Sequence, residues 1–454
     1  MKNIFLLMGC AVLISLVCVN SVFCQESPVE KALKVPGAKA TLPVTTAKEP
    51  FPRNFVKSAL ESFNTFHAQM GGDHTLYYLL NFSTVLRTDL AKPNVDYKPL
   101  DYFLDERIGK IKIKTESEGE LTLDDYIIHP TFRHQGLLLL HQGKIVYEAY
   151  PGMSPVDFHW WASASKTITG LMAALLVEEG KIDTQESATT YAKELAGTAW
   201  DNVRVIDLIN HTSGLDIEET NQSILDPQSM FVRFVASTMA PIDRSVPIEN
   251  WVEVLREAKP LKNEKPGERF RYSSLNTQAL GMVIENVSGL RFADVVEKRI
   301  WGKLKARMPL LVHLAPDGTA LNLAIISSAL QDMGRFGVLW TPSWKAVATE
   351  QVVTPAILER IRRDGDPKAF AGGKKEEQAM GLFGEKPVKG SYQFDFIFED
   401  GAMYKHGNLG QGIYIDPERD FVGVYFSTTP YVPPFGEIKA PAFMRAAAKM
   451  LAGK

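Results

Sequence analysis

The chain has 454 residues, 45% of them hydrophobic and 23% charged, a globular composition with enough length for more than one core. Lys and Arg number 50 against 53 Asp and Glu, a formal charge of -3 with no long run of one sign. The basic excess that a phosphate backbone demands is missing, so nucleic acid is not an expected partner.

The first predicted element is a leader. "MKNIFLLMGCAVLISLVCVNSVFCQESP" sets one lysine before an almost unbroken apolar run from Ile4 to Phe23, with Val22 and Cys24 small enough for cleavage ahead of Gln25. Residues 1–24 are expected to be a secretory signal peptide that exports the protein to the periplasm or beyond. An uncleaved membrane anchor is the alternative, because the run is long enough to cross a bilayer. Lipid attachment at Cys24 ranks below both, since Phe23 is bulky for that pattern. Cys10, Cys18 and Cys24 all lie in this leader, so a chain starting at Gln25 has no thiol, disulfide or cysteine-ligated zinc.

Residues 25–54, rich in Pro, Ala, Lys and Thr, read as a linker or loosely packed arm. Residues 55–132 form an N-terminal extension of unassigned role, in which "GKIKIKTE" alternates Ile111 and Ile113 with lysines as a half-exposed strand does. From Gly136, "GLLLLHQGKIVYEAY" predicts a β-hairpin with a buried four-leucine strand, a turn at Gln142 and Gly143, and a second strand through Ile145 and Tyr147. Ile168, Leu171, Met172, Leu175 and Leu176 then follow helical spacing up to a stop at Gly180. Residues 187–329 are read as a helical insertion. A sheet-containing region is assembled from 133–186 and 330–454, the latter with a hairpin around Pro417 and a closing helix from Ala440 to Leu451.

In "WWASASKTITG", Ser163 and Lys166 are neighbours on the first turn of the predicted helix, where the helix N-terminus favours negative charge. A lysine buried against Trp160 and Trp161 holds its proton less tightly and can accept one from the serine. Taken alone, the pair reads better as an ordinary helix start, with serine capping and lysine solvated. Two further segments tip the balance. In "PGERFRYSSLNTQALG", Tyr272 precedes a helix and offers a hydroxyl that can relay a proton as general base and then acid. In "YKHGNLGQGIYIDP", Lys405, His406 and Gly407 mark a strand whose edge can present a backbone N–H to a carbonyl oxygen. His211, in "NHTSGL", is expected to fix its turn. No His-Glu-x-x-His spacing occurs, so no metal site is expected.

In chain order, Ser163-x-x-Lys166, Tyr272-x-Ser274 and His406-Gly407 resemble the three motifs of the serine β-lactamase and penicillin-binding-protein group. "GKIVYEAYPGM", "LVEEGKID", "LINHTSGL" and "LQDMGRFGVLW" add to the likeness, which runs from about Arg133 to the C-terminus. The sequence looks closest to the class C-like branch of carboxylesterases, D-aminopeptidases and 6-aminohexanoate-dimer hydrolases. The resemblance implies an α/β (α+β) fold, an antiparallel β-sheet flanked by helices with an inserted all-helical domain. It also implies catalysis by Ser163, Lys166 and Tyr272, substrate or oxyanion contacts from Ser163, Ser274, His406, Gly407 and Asn408, no cofactor, and a small-molecule ester or amide as substrate.

Two departures turn the expectation away from β-lactams. Ser274 replaces the amide side chain of Tyr-x-Asn, and the lysine of Lys-Thr-Gly is not in register, Lys405 standing one place off. A penicillin-binding or cell-wall-sensing protein that acylates slowly and never turns over is the alternative function.

Overall fold

Four consecutive leucines, Leu137 to Leu140, are all buried, which a strand permits only when both of its faces are covered. The computed structural model describes residues 34–64, 66–224, 226–240, 247–430 and 436–453, so the leader expected over 1–24 lies outside the described residues. The leucine strand, β1 (His134–His141), turns through Gln142 and Gly143 into β2 (Lys144–Ala149). Both turn residues have positive φ, 50° and 71°, as a two-residue hairpin twisted with its strands requires.

Strands β3 (Lys389–Ser391), β4 (Phe394–Ile397), β5 (Met403–Gly407), β6 (Gln411–Asp416) and β7 (Phe421–Ser427) complete an antiparallel sheet in the order β2-β1-β7-β6-β5-β4-β3. The helices that position the site are α1 (Lys166–Glu178), α2 (Ser274–Ser288), α3 (Leu330–Val338), α4 (Lys374–Phe383) and α5 (Ala440–Leu451). Alternation along the strands divides the apolar side chains between two layers. Leu137, Leu139, Phe421 and Tyr425 pack with Phe443 and Met444 of α5. Leu138, Leu140, Val422 and Val424 join Met333 and Phe336 of α3 and the buried face of α1 in the larger core.

The insertion expected to be helical over 187–329 is helical as far as the turn Trp301–Lys303 and then ends in two strands, Leu310–Leu314 and Ile326–Ser328. They form a second antiparallel sheet with Arg87–Ala91 from the N-terminal extension and His159–Trp160 just ahead of Ser163. The short run "LLVHL" is satisfied as a buried strand because partners arrive from distant segments, which its own sequence does not show.

The arm expected over 25–54 is not loose where it is described. Asp73 Oδ1 accepts the backbone N–H groups of Thr41 (2.7 Å) and Leu42 (2.8 Å), while Arg133 donates to the Leu42 carbonyl (2.9 Å). Side chains far along the sequence thus pin a segment that has no apolar periodicity of its own.

Candidate active site

Ser163 leaves the second sheet through a fixed corner. The Trp161 backbone N–H donates to the Ile326 carbonyl (2.9 Å) and its indole N–H to Ser328 Oγ (2.9 Å). Ala162 then takes a φ of 48°, uncommon for a residue with a Cβ, and begins the 3-10 turn Ala162–Ser165 that leads into α1. In the first positions of that turn the Ser163 N–H has no carbonyl one turn behind it.

Lys166 is fully buried beside it. Its Nζ lies 2.9 Å from Ser163 Oγ and 2.9 Å from Ser274 Oγ, and it also donates to the Leu323 carbonyl. A carbonyl only accepts, so one N–H is committed there. A neutral amine then has a second N–H for Ser274 and a lone pair for the Ser163 proton. Burial drives the lysine pKa well below its ordinary value; the Glu219 carboxylate opposes this, and Lys405 reinforces it.

Tyr272 reaches the pair from the insertion, the hydroxyls of Ser163 and Ser274 lying near enough to act on its phenol. Burial, helped by the carboxylates of Glu219 and Asp395, raises its pKa well above the usual phenol value, so it stands as a neutral proton donor. Its ring rests against the His211 ring, centroids 4.9 Å apart, which gives that turn histidine a supporting role. Around the same ring, Nζ of Lys375, Lys405 and Lys166 lie 4.2, 4.4 and 5.1 Å from the centroid. Tyr272→Phe is expected to lower kcat by about 10²-fold while KM changes little, because only proton transfer is removed; steady-state kinetics check this.

Strand β5 faces the serine turn. Strand β4 pairs only with Met403 and Tyr404, leaving residues 405 to 408 without a strand neighbour on that side. The Asp395 carboxylate takes the His406 N–H there (3.0 Å), so the Asn408 N–H is the next donor along that edge. A Cβ at Gly407 would lie 2.6 Å from the Trp161 carbonyl oxygen, so glycine lets the strand close on the turn. The N–H groups of Ser163 and Asn408 are thereby the candidate oxyanion donors. The Asn408 side chain is otherwise engaged, accepting from Leu409 N (3.0 Å) and donating to Gln69 (3.4 Å). His406 borders the cleft with Nδ1 3.2 Å from the Tyr404 hydroxyl, and burial lowers its pKa to about 3, so it is a neutral wall residue.

Lys405 is fully buried under Tyr272 and ion-paired with Asp395 (2.8 Å), so it does not border the cleft. Burial alone would raise the Asp395 pKa; Lys375 and Lys405 overcome that and hold it well below the carboxylate range. Burial lowers Lys405 to about 8. Asp395→Asn leaves that ammonium without its counter-charge, so the variant is expected to lose about 3 kcal/mol of stability at pH 6. In the folded wild type Lys405 sheds its proton as pH rises through about 8, so the ammonium that Asp395 balances is largely gone by pH 9 and the deficit should shrink there. Thermal melts at both pH values measure it.

The cleft has a volume of about 810 Å³. Phe66, Met70 and Phe82 from the N-terminal extension and Trp160 give it apolar lining, and Glu218, Glu219 and Lys375 line it as well. The extension whose role was unassigned in the sequence therefore shapes the site. Ser163, Lys166, Tyr272 and Ser274 meet in one cluster, with His406, Gly407 and Asn408 on the adjoining strand. Ser274, expected to touch substrate, spends its hydroxyl on Lys166 and its N–H on Glu219. Sequence reasoning missed Glu219, Lys375 and Asp395. The first two sit in charged stretches that read as solvated. Asp395, between Phe394 and Phe396, reads as the exposed face of a strand, and its complete burial depends on the two lysines that meet it.

A serine facing a buried, proton-poor lysine, with a neutral phenol beside it and two backbone donors across the turn, is the apparatus of a serine hydrolase that works by acyl transfer. The chain belongs to the Beta-lactamase family, whose profile matches residues 135–448. It is 27% identical over 306 residues to the 6-aminohexanoate-dimer hydrolase of Paenarthrobacter ureafaciens, covering 64% of this chain and 72% of that one. It is 30% identical over 137 residues to a β-lactamase of Providencia stuartii, spanning 30% of this chain and 29% of the relative's length. A Bacillus anthracis protein provisionally named a 6-aminohexanoate-dimer hydrolase shares the fold, with a TM-score of 0.65 at 22% identity over 83% of this chain and 94% of the other.

Proposed function

We propose that this protein is an exported serine hydrolase that opens an ester or linear amide of a small molecule through an acyl-enzyme on Ser163. The observation that carries the reading is Lys166 Nζ, 2.9 Å from Ser163 Oγ, in surroundings that favour the neutral amine. Ser163 Oγ attacks the carbonyl carbon as its proton passes to Lys166, and the oxyanion is met by the Ser163 and Asn408 N–H groups. Tyr272, a neutral phenol, protonates the departing amine or alcohol. Water then attacks the acyl-enzyme along the reverse proton path, releasing the acid and free Ser163.

The preference for esters and linear amides over β-lactams is supported by Ser274 and Lys405. The first bonds to Lys166, and the second is buried on Asp395 away from the cleft. The likeness to a 6-aminohexanoate-dimer hydrolase favours the same substrate class. Export rests on the leader pattern, and N-terminal sequencing of the secreted protein should begin at Gln25.

A fluorophosphonate probe followed by peptide mass mapping tests the chemistry. The expected adduct is on the peptide containing Ser163, and steady turnover is expected on p-nitrophenyl esters or linear amides with nitrocefin much slower. An adduct elsewhere, or none, rejects the proposal. A burst with a persistent acyl-enzyme would point to the non-turnover alternative.

A further inference from the structure

We infer that Glu219 is a positioning residue of the hydrolase, clamping the segment 272–274 onto Lys166 and holding a carboxylate beside that lysine. The inference rests on the hydrolase reading and assigns the same site the group that sets the pH at which it works.

Two hydrogen bonds make the clamp. The Glu219 backbone N–H donates to the Tyr272 carbonyl (2.9 Å), and the Glu219 carboxylate accepts the Ser274 N–H. Ser274 opens α2, so its N–H has no carbonyl one turn behind it, and a carboxylate is favoured at that end of a helix. The Ser274 hydroxyl is 2.9 Å from Lys166 Nζ, which is itself 2.9 Å from Ser163 Oγ. A single residue, Ser274, therefore joins Glu219 to the base, and the bond to the Tyr272 carbonyl fixes the phenol's own backbone.

The carboxylate is free to act at a distance. Its neighbour Glu218 is paired with Arg271 (2.7 Å) and Lys374 (3.5 Å), whereas Glu219 has no ion-pair partner among the described residues. The other groups facing Lys166 are Tyr272 and His211 of the insertion, both neutral, Lys405 of β5, Lys375 of α4 and Asp395 of β4. Asp395 is shared by the two lysines. Burial lowers the Lys166 pKa most, and Glu219 is the strongest influence after it, in the opposite direction. Removing the charge should therefore let Lys166 give up its proton at a still lower pH.

The test compares wild type, Glu219→Gln and Glu219→Ala across pH on p-nitrophenyl butanoate, an uncharged ester, with thermal melts of each. Glutamine keeps an oxygen for the Ser274 N–H but carries no charge, so the acid limb of kcat/KM is expected to move down by about one pH unit. Alanine removes the acceptor as well, and should also lower the plateau kcat by about tenfold, most of which glutamine recovers. An unmoved limb in Glu219→Gln, or a loss equal at every pH, overturns the charge role. A wild-type plateau in Glu219→Ala overturns the clamp. If the wild type turns over no ester and forms no fluorophosphonate adduct at Ser163, the hydrolase reading fails instead. NMR titration of lysine-labelled protein, with the Lys166 signal assigned by its absence in Lys166→Met, then decides alone. A midpoint lowered in Glu219→Gln supports the inference, and an unchanged one rejects it.

Discussion

Lys166→Met is expected to reduce kcat/KM by about 10³- to 10⁴-fold, the range assigned to a positioned general base together with the contacts that orient it. Methionine has similar bulk, so the apolar surroundings stay filled, while the lone pair facing Ser163 Oγ is gone. The wild-type rate should rise with pH as Lys166 gives up its proton, at a pH well below the usual lysine value because burial favours the neutral form. In the variant that acid limb should vanish.

Stability gives the control. A lysine whose pKa is lower in the fold than in the unfolded chain is a penalty wherever the unfolded chain binds the extra proton. That penalty is absent above the ordinary value of 10.5, grows as pH falls from there toward the folded pKa, and is full below it. Methionine carries no such penalty, so the variant should gain stability relative to wild type as pH is lowered through that window. Rates across pH alongside thermal melts separate lost chemistry from lost fold. A variant that keeps wild-type turnover removes Lys166 from the mechanism.

Gly407→Val is expected to cost about 10²- to 10³-fold in kcat, the loss measured when one oxyanion donor is removed elsewhere. The first added carbon would stand 2.6 Å from the Trp161 carbonyl oxygen, 2.9 Å from Gln411 Cβ and 3.1 Å from Ala162 Cβ. None of these is the free end of a flexible side chain. The strand edge and the serine turn must therefore separate, carrying the Asn408 N–H away from the Ser163 N–H. Substrate still meets the cleft walls, so KM should move less than kcat. Wild-type kcat in this variant, with an unchanged melt, would show that the strand edge holds no part of the transition state.

Part of this was legible in the residues because it is local. The leucine run with its Gln142 and Gly143 turn, the hairpin at Pro417 and the helix Ala440–Leu451 follow from periodicity and turn chemistry, and each lies where its pattern put it. Ser163 and Lys166 are legible for the same reason, since three residues on one helical turn must be neighbours. The strand Leu310–Leu314, the pinned arm at Thr41 and Leu42, and the cleft wall at Phe66 and Met70 were not, because each depends on a partner tens or hundreds of residues away.

From its local patterns alone, then, the chain singles out Ser163 and Lys166 as candidate nucleophile and base, in an ordered set of motifs. Tertiary structure alone decided the electrostatics. It buried Lys166 and half-buried Tyr272, loosening the lysine's hold on its proton and tightening the phenol's. It also set Lys375 and Lys405 on a single carboxylate, one facing the cleft and one sealed from it. The reason is that a side chain's charge state depends on the water it has lost and the charges around it, and both are set by segments that meet only when the chain has folded.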